Sequence, residues 1–178
     1  RGKIVFKSDR GGSEATYMLD PGSGEVTLIT QPWVFTLAQD QLSLSPDGQN
    51  RLLVKEDDNN ILQVFVRSLQ YGSERKLTSL RKTNYDPAWS PTGGWIAFVS
   101  ADPGNDEIYR MDPSGAMVQR LTNNDWEWDK HPSWSPDGSQ IVFYSNRDTS
   151  RRQLWIMDAD GGNQRNLSSN EFEDWDPI

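Results

Sequence analysis

Four polar residues recur at one fixed interval along the chain, and their side chains could do chemistry together. Gln41, Asp86, His131 and Asp176 follow one another at steps of 45 residues. Two carboxylates, an imidazole and an amide oxygen can ligate a divalent cation such as Ca²⁺ where a fold gathers them. The alternative is that they hydrogen-bond loop backbone or water, as Asp before Pro often does where a turn starts. A Ca²⁺ site is therefore one of two interpretations.

Catalytic chemistry has few candidates in this sequence. His131 is the only histidine, and it occupies a position where the neighbouring copies carry Asp or Gln. No Gly-x-Ser-x-Gly, His-Glu-x-x-His or Gly-rich phosphate-binding motif occurs. The sequence has no cysteine, which excludes a cysteine nucleophile, a thiolate zinc site and a disulfide framework. We predict that this chain carries no catalytic residues.

Aromatic side chains alternate with carboxylates in the segments between the repeat units. On loops, this mixture is typical of a surface that binds a protein or peptide. The alternative, for Trp126, Trp128 and Trp175 in particular, is packing between units, which is the commoner use of an aromatic residue. The candidates for partner contact are Trp33, Phe35, Tyr85, Trp126, Trp128, Phe172 and Trp175.

Composition narrows the classes of partner. The 178 residues are 34% hydrophobic, which is enough for one buried core, so a single domain over residues 1–178 is expected. A net charge of -8 argues against nucleic acid, since phosphate binding needs clustered Lys and Arg. No apolar run is long enough to cross a bilayer, so no direct membrane insertion is expected. The sequence begins at Arg1 rather than Met, which suggests a processed chain, a trimmed one or a segment of something larger.

The interval of 45 residues belongs to a repeat that predicts the architecture. Each full copy carries a Ser-Pro-Asp-Gly or Ser-Pro-Thr-Gly turn, with the copies at residues 41–48, 86–93 and 131–138 and another opening at Asp176. Pro, Asp and Gly there supply the chemistry of a tight turn. In the copy from His131, the apolar runs 141–145 and 154–157 and the weaker run 164–167 follow that turn and predict further strands. Nothing between copies is periodic enough to predict a helix.

Four-stranded units of this length stack around an axis as the blades of a β-propeller. The fold class is therefore all-β, with four antiparallel blades. The predicted boundaries are residues 1–30 plus 174–178, 31–79, 80–123 and 124–170. Residues 174–178 are expected to supply the innermost strand of the first blade. The positions of the two chain ends within the 45-residue repeat leave two alternatives open: a closed four-bladed ring and a segment of a larger propeller.

The motifs Trp-Ser-Pro-Asp-Gly, Ile-Val-Phe-Tyr-Ser and Leu-Trp-Ile-Met-Asp-Ala-Asp-Gly-Gly, all between residues 134 and 162, resemble the TolB-like, WD40-like (PD40-type) β-propeller repeat. The copy at 41–78 departs from the pattern, with Leu44 in place of Trp. The resemblance implies a non-catalytic scaffold that binds a protein or peptide in the periplasm or outside the cell. Two alternatives remain: an accessory propeller of a larger prolyl-oligopeptidase-like enzyme, and a carbohydrate-binding propeller.

Overall fold

The described part of the chain is almost entirely β-structure. The computed structural model describes residues 2–31 and 33–178, with Trp33 and Val34 described by their backbone alone. Within these residues lie fifteen strands and one helix, and the strands form four antiparallel sheets. No helix among them has the length and apolar character needed to cross a lipid bilayer. The predicted all-β propeller class is confirmed.

Each sheet is one blade, and blades 1 and 2 come from the first half of the chain. Blade 1 contains β1 (Ile4–Ser8), β2 (Ala15–Leu19) and β3 (Val26–Leu28), with β15 (Asp174–Trp175) at its inner edge. Helix α1 (Trp33–Leu42) follows. Blade 2 contains β4 (Asn50–Glu56), β5 (Leu62–Ser68) and β6 (Glu74–Lys76).

Blades 3 and 4 are complete four-stranded meanders. Blade 3 contains β7 (Asn84–Trp89), β8 (Ile96–Ser100), β9 (Glu107–Met111) and β10 (Val118–Arg120). Blade 4 contains β11 (Asp129–Trp134), β12 (Gln140–Ser145), β13 (Gln153–Asp158) and β14 (Arg165–Asn166). Strands A to D below denote the strands of a blade from the axis outward. The loop face carries the D-to-A and B-to-C loops, and the turn face carries the A-to-B and C-to-D turns.

The inner strand of blade 1 comes from residues near the C-terminus, where the repeat phase places it. Trp175 pairs with Lys7 and Asp174 with Ser8. The backbone groups of Val5 and Ile178 exchange two hydrogen bonds, of 2.9 and 2.8 Å. These bonds occupy the edge of β1 that faces the axis, as strand A does in blades 3 and 4.

Helix α1 corrects the expectation that no helix occurs and that blade 2 has a full strand A. Phe35, Ala38, Gln39 and Leu42 point inward while the residues between them are more exposed, which is the spacing of one helical face. Phe35 is buried at 5% exposure. After the helix, only an isolated bridge from Leu44 to Arg51 continues the pairing that strand A makes in the other blades.

Apolar clusters join three pairs of blades. Leu52 and Val64 of blade 2 pack with Phe98 of blade 3. Val99 and Ile108 of blade 3 pack with Phe143 and Trp134 of blade 4. Phe6 and Ile4 of blade 1 pack with Val142 and Leu154 of blade 4. Among the described residues no such cluster joins blade 1 to blade 2, and α1 lies in the chain between them.

Candidate functional site

Three A strands carry the same backbone irregularity at the axis. Asp86, His131 and Asp176 have φ values of 49°, 56° and 49°, and each precedes a proline. The pairing register of β7 and of β11 shifts at this point. A left-handed residue at a bulge is strained for a non-glycine residue, and bulges redirect side chains. Here the bulges bring the three side chains together where the blades meet.

His131 is the centre of this group. Its Nδ1 lies 3.1 Å from Asp86 Oδ2 and 3.9 Å from Asp176 Oδ1. Its Nε2 lies 3.1 Å from the amide nitrogen of Gln39 on α1. Lys7 Nζ contacts the other oxygen of Asp176 at 3.3 Å. We call Lys7, Gln39, Asp86, His131 and Asp176 the axial cluster.

The electrostatics of the axial cluster shift the pKa of His131. Burial lowers the pKa of His131, but the hydrogen bond to Asp86 and the charges of Asp86 and Asp176 together raise it further. The net effect is a pKa above the ordinary value for histidine. His131 of blade 4 lies between carboxylates of blades 1 and 3, so these contacts join the three blades at the axis.

The predicted metal set needs one correction. Gln41 lies on the exposed side of α1, and Gln39 is the residue that reaches His131 instead. The physical reason is the helix, which takes Gln41 out of the strand position that the repeat phase assigned to it. In the described residues no group of three or more His, Asp or Glu side chains has the arrangement of a metal site. The Ca²⁺ interpretation of Asp86, His131 and Asp176 gains no support from this geometry.

Aromatic side chains surround the axial cluster on the loop-face side. Trp128 packs edge-on against Tyr144, with ring centroids 5.6 Å apart. Burial raises the pKa of the Tyr85 hydroxyl, and so does the negative charge of Asp106. Lys130 lies 3.0 Å from Asp106 and 5.3 Å from the Trp128 ring centroid. Both phenols and the indole are thus partly buried groups in a charged surrounding.

Trp126 differs from the other aromatic candidates because 87% of it is exposed. The loop that carries it is nevertheless fixed. The amide nitrogen of Asn105 donates to the carbonyls of Glu127 and Asn124, at 2.5 and 3.1 Å. The backbone N–H of Trp128 donates to Asn146 at 2.8 Å. The structure therefore presents an exposed indole on an ordered loop.

The remaining aromatic candidates pack within the protein. Trp175 is 9% exposed, with the Arg152 guanidinium 4.1 Å from its ring. Phe35 is buried beside Lys7 at 5.4 Å. Phe172 is half-buried, with Arg10 5.7 Å from its ring. The side chain of Trp33 lies outside the described residues. Packing between blades thus describes Trp175, whereas it does not describe Trp126.

Sequence reasoning missed the charged residues that lie beneath the loop face. Glu107, Asp129 and Asp174 are fully buried. Asp129 contacts Arg147 at 3.2 Å, and Asp174 contacts Arg10 at 2.8 Å. A repeated Ser-x-Arg after strand B, at residues 8–10 and 145–147, was the signal that could have found them. These pairs fix the loops that carry the aromatic surface.

A model of a known protein family matches the part of the chain that forms these blades. The model of the TolB beta propeller domain (PD40) matches residues 60–177. This chain belongs to the TolB-like β-propeller family. The match covers the regular blades 3 and 4 and most of blade 2, and it leaves out α1.

Individual relatives are similar to this chain over nearly its whole length. The uncharacterized protein Atu1656 of Agrobacterium fabrum is 32% identical over 88% of this chain and 54% of its own length. A TolB homolog of Chlorobium luteolum is 39% identical over 91% of this chain and 35% of its own length. The crystal structure of TolB from Acinetobacter baumannii superposes with a TM-score of 0.66 and 26% identity, over 99% of this chain and 43% of that one. The chain thus spans between about a third and about half of the length of these proteins.

Some enzymes share the fold alone. A manganese-bound oligogalacturonate lyase has a TM-score of 0.55 at 14% identity, over 85% of this chain and 47% of that one. A puromycin hydrolase has a TM-score of 0.57 at 16% identity, over 69% of this chain and 21% of that one. Such low identity carries no activity to the TolB-like chain.

Proposed function

We propose that this chain is a non-catalytic TolB-like propeller that binds a protein or peptide partner through its loop face. The observation that carries the proposal is Trp126, an indole that is 87% exposed on a loop fixed by Asn105. Tryptophan is enriched among the residues that dominate binding energy, and a fixed loop avoids the entropy cost of ordering it. The resemblance to TolB supports a periplasmic or extracellular location as part of this proposal.

The surroundings of Trp126 support a partner that is itself a polypeptide. Trp128 and Tyr144 form an aromatic pair nearby, and Asp106 and Lys130 supply both signs of charge. An apolar anchor with a polar, charged rim is the usual anatomy of a protein interface. Net charge of -8 disfavours nucleic acid as the occupant.

The contacts of the axial cluster favour a structural role rather than a catalytic one. Both ring nitrogens of His131 contact neighbours, one the carboxylate of Asp86 and the other the amide of Gln39. Within the described residues, no serine or threonine hydroxyl is hydrogen-bonded to His131. A general base needs the proton of its nucleophile within hydrogen-bond reach. We therefore assign His131 a role in holding blades together.

The test compares three folded proteins as baits in a cell-envelope extract. The wild type is compared with Trp126→Ala and with a matched control, Tyr71→Ala. Tyr71 is 77% exposed in the C-to-D turn of blade 2, on the opposite face. A photo-crosslinking residue at the neighbouring exposed position 125 or 70, with Trp126 and Tyr71 retained, then identifies the contacted protein by mass spectrometry. We expect one partner that crosslinks at 125 and not at 70, is lost with Trp126→Ala and is retained with Tyr71→Ala. Identical partners for all three baits would refute the loop-face proposal.

A further inference from the structure

Blade 2 has an open inner edge. All seven residues of β4 pair with β5 on one side. On the other side, the pairing among the described residues consists of the bridge from Leu44 to Arg51, two backbone hydrogen bonds, Leu52 N–H to Ser43 and Ser45 N–H to Asn50, and a bond from the Asn50 N–H to the Ser45 hydroxyl. Beyond Leu52, no described strand pairs with β4 on the side toward the axis.

The direction of the free backbone groups follows from the pairing. Leu52 donates and Asn50 accepts on the axial side, so the even-numbered residues of β4 face that side. Val54 and Glu56 have the same parity. Their N–H and C=O groups therefore point to the place where blades 1, 3 and 4 have strand A. An unpaired strand edge is a template for another strand.

The other blades show what a filled edge looks like. In blade 3, Tyr85 of strand A pairs with Val99, and the Ala101 N–H donates to Thr83 at 3.0 Å. Val99 is fully buried, whereas Val54 at the equivalent position is 38% exposed. The repeat phase relates the two valines by the same 45-residue step as the turns that precede them.

The 45-residue repeat assigns residues 39–44 to this edge, but those within α1 are held elsewhere. Phe35 is buried in α1, and Gln39 contacts His131 at 3.1 Å. Leu42 packs against the apolar cluster between blades 3 and 4. These contacts hold α1 in place, and none of its described residues pairs with Val54 or Glu56. The sequence between α1 and β4 contributes only the short contacts of Ser43, Leu44 and Ser45.

We propose that an extended segment of a partner protein adds to β4 as an antiparallel strand and takes the place of strand A in blade 2. The partner backbone exchanges hydrogen bonds with Val54 and Glu56, and an apolar partner side chain covers Val54. This mode of recognition, strand addition at a sheet edge, draws its affinity from main-chain bonds. It stands apart from the Trp126 surface, because it depends on backbone groups of another blade.

The test uses a synthetic peptide with the sequence of residues 82–90, the segment that fills this edge in blade 3. Binding is measured by calorimetry, and the site is located by amide hydrogen exchange. We expect saturable binding at or below about 1 mM, with exchange at Val54 and Glu56 slowed at least about tenfold. The same peptide with N-methyl groups on alternate amides is expected not to bind.

Two variants make the outcome decisive. Val54→Pro removes the outward N–H, and proline is tolerated on a strand edge, so the β4–β5 pairing remains. Val54→Ala keeps the N–H and serves as its control. We expect Val54→Pro to weaken binding at least about tenfold. Val54→Ala keeps the backbone bonds and loses only part of the side-chain contact, so it should weaken binding less than Val54→Pro does, and Trp126→Ala should bind as the wild type does. Binding that survives Val54→Pro, protection at other strands, equal binding of the N-methylated peptide or no binding would each overturn the proposal.

Discussion

The guanidinium of Arg10 donates through Nη2 to both carboxylate oxygens of Asp174, at 2.8 and 2.9 Å. Asp174 is fully buried, and Arg10 also lies 5.1 Å from the ring centroids of Phe6 and Tyr17. The pair links the B-to-C loop of blade 1 to β15, 164 residues further along the chain. Because a buried carboxylate without its cation is costly, this contact holds β15 in place.

Removing Asp174 should therefore destabilise the whole domain. We expect Asp174→Ala to lower the free energy of unfolding by about 3 to 5 kcal/mol, the cost of breaking a buried ion pair. Urea denaturation followed by tryptophan fluorescence measures it. Glu14→Ala is the control, since Glu14 is 60% exposed and contacts Lys7 at 3.7 Å. That change should cost less than about 1 kcal/mol, and equal losses for both variants would contradict the assignment.

The protonation of His131 should be visible directly, because it is the only histidine. We expect a proton NMR titration of its ring to give a pKa above the ordinary 6.5 in the wild type. Asp86→Asn removes the hydrogen-bonded carboxylate, so the pKa should fall in that variant. The same titration midpoint in both proteins would show that Asp86 does not act on the ring.

The raised pKa of His131 also predicts a pH dependence of stability. A histidine whose pKa is higher in the folded state contributes its stabilisation fully below about 6.5 and loses it as pH rises through the folded-state pKa. Above that pH, the unfolding free energy of the wild type should therefore fall relative to that of His131→Gln. The fall should be at most about 1.4 kcal/mol for every tenfold difference in proton affinity of His131 between the folded and unfolded states. Denaturation curves at a series of pH values measure the difference. A constant difference across the series would contradict the prediction.

Helix α1 should depend on Phe35. Truncating this buried ring in Phe35→Ala should cost about 3 to 5 kcal/mol if the helix unfolds only with the domain. If the helix detaches locally instead, the loss appears as faster amide exchange confined to residues 33–42. Leu37→Ala changes a side chain of the same helix that is 53% exposed, and it should alter stability by less than about 0.5 kcal/mol. Hydrogen exchange with denaturation distinguishes these results, and unchanged stability and exchange in Phe35→Ala would show that Phe35 does not hold the helix.

Substituting Trp126 and Trp175 should have different effects on stability, because Trp126 is exposed and Trp175 is buried. Trp175→Ala removes a ring that is 9% exposed, and we expect it to cost about 3 to 5 kcal/mol of unfolding free energy. Trp126→Ala removes an exposed indole and should change stability by less than about 0.5 kcal/mol. Thermal and urea denaturation of both variants measure this contrast. A large loss of stability with Trp126→Ala would mean that this indole packs against the protein.

The sequence predicted the parts of the fold that follow the repeat. Turn residues occur at 86–93 and 131–138, and the apolar runs after them are β-branched and aromatic. These residues prefer turns and strands locally, and the tertiary structure places them in turns and strands. Strand β15 could be placed in blade 1 because Asp176 continues the 45-residue phase. The 45-residue interval could not reveal the helix, because Gln41 occupies the repeat position in the sequence but has a helical backbone instead of a strand. The inward spacing of Phe35, Ala38, Gln39 and Leu42 was the signal to use.

The candidate site was predicted only in part. Asp86, His131 and Asp176 meet at the axis because their blades are equivalent, and the phase alone predicts that. Gln39 and Lys7 reach the same point from α1 and from strand B, so no spacing relates them to the other three. Exposure was also beyond sequence reasoning, since Trp126 and Trp175 stand in similar aromatic and acidic segments but have opposite surroundings.

The unequal blade junctions have a mechanical consequence. Apolar clusters join blades 2 with 3, 3 with 4, and 4 with 1, whereas no such cluster among the described residues joins blade 1 to blade 2. Helix α1 lies in the chain between those two blades. Heat or tension should therefore part the assembly first beside this helix, while the other three contacts persist. The polypeptide would then behave as an arc of four blades in which only the two ends, blades 1 and 2, separate.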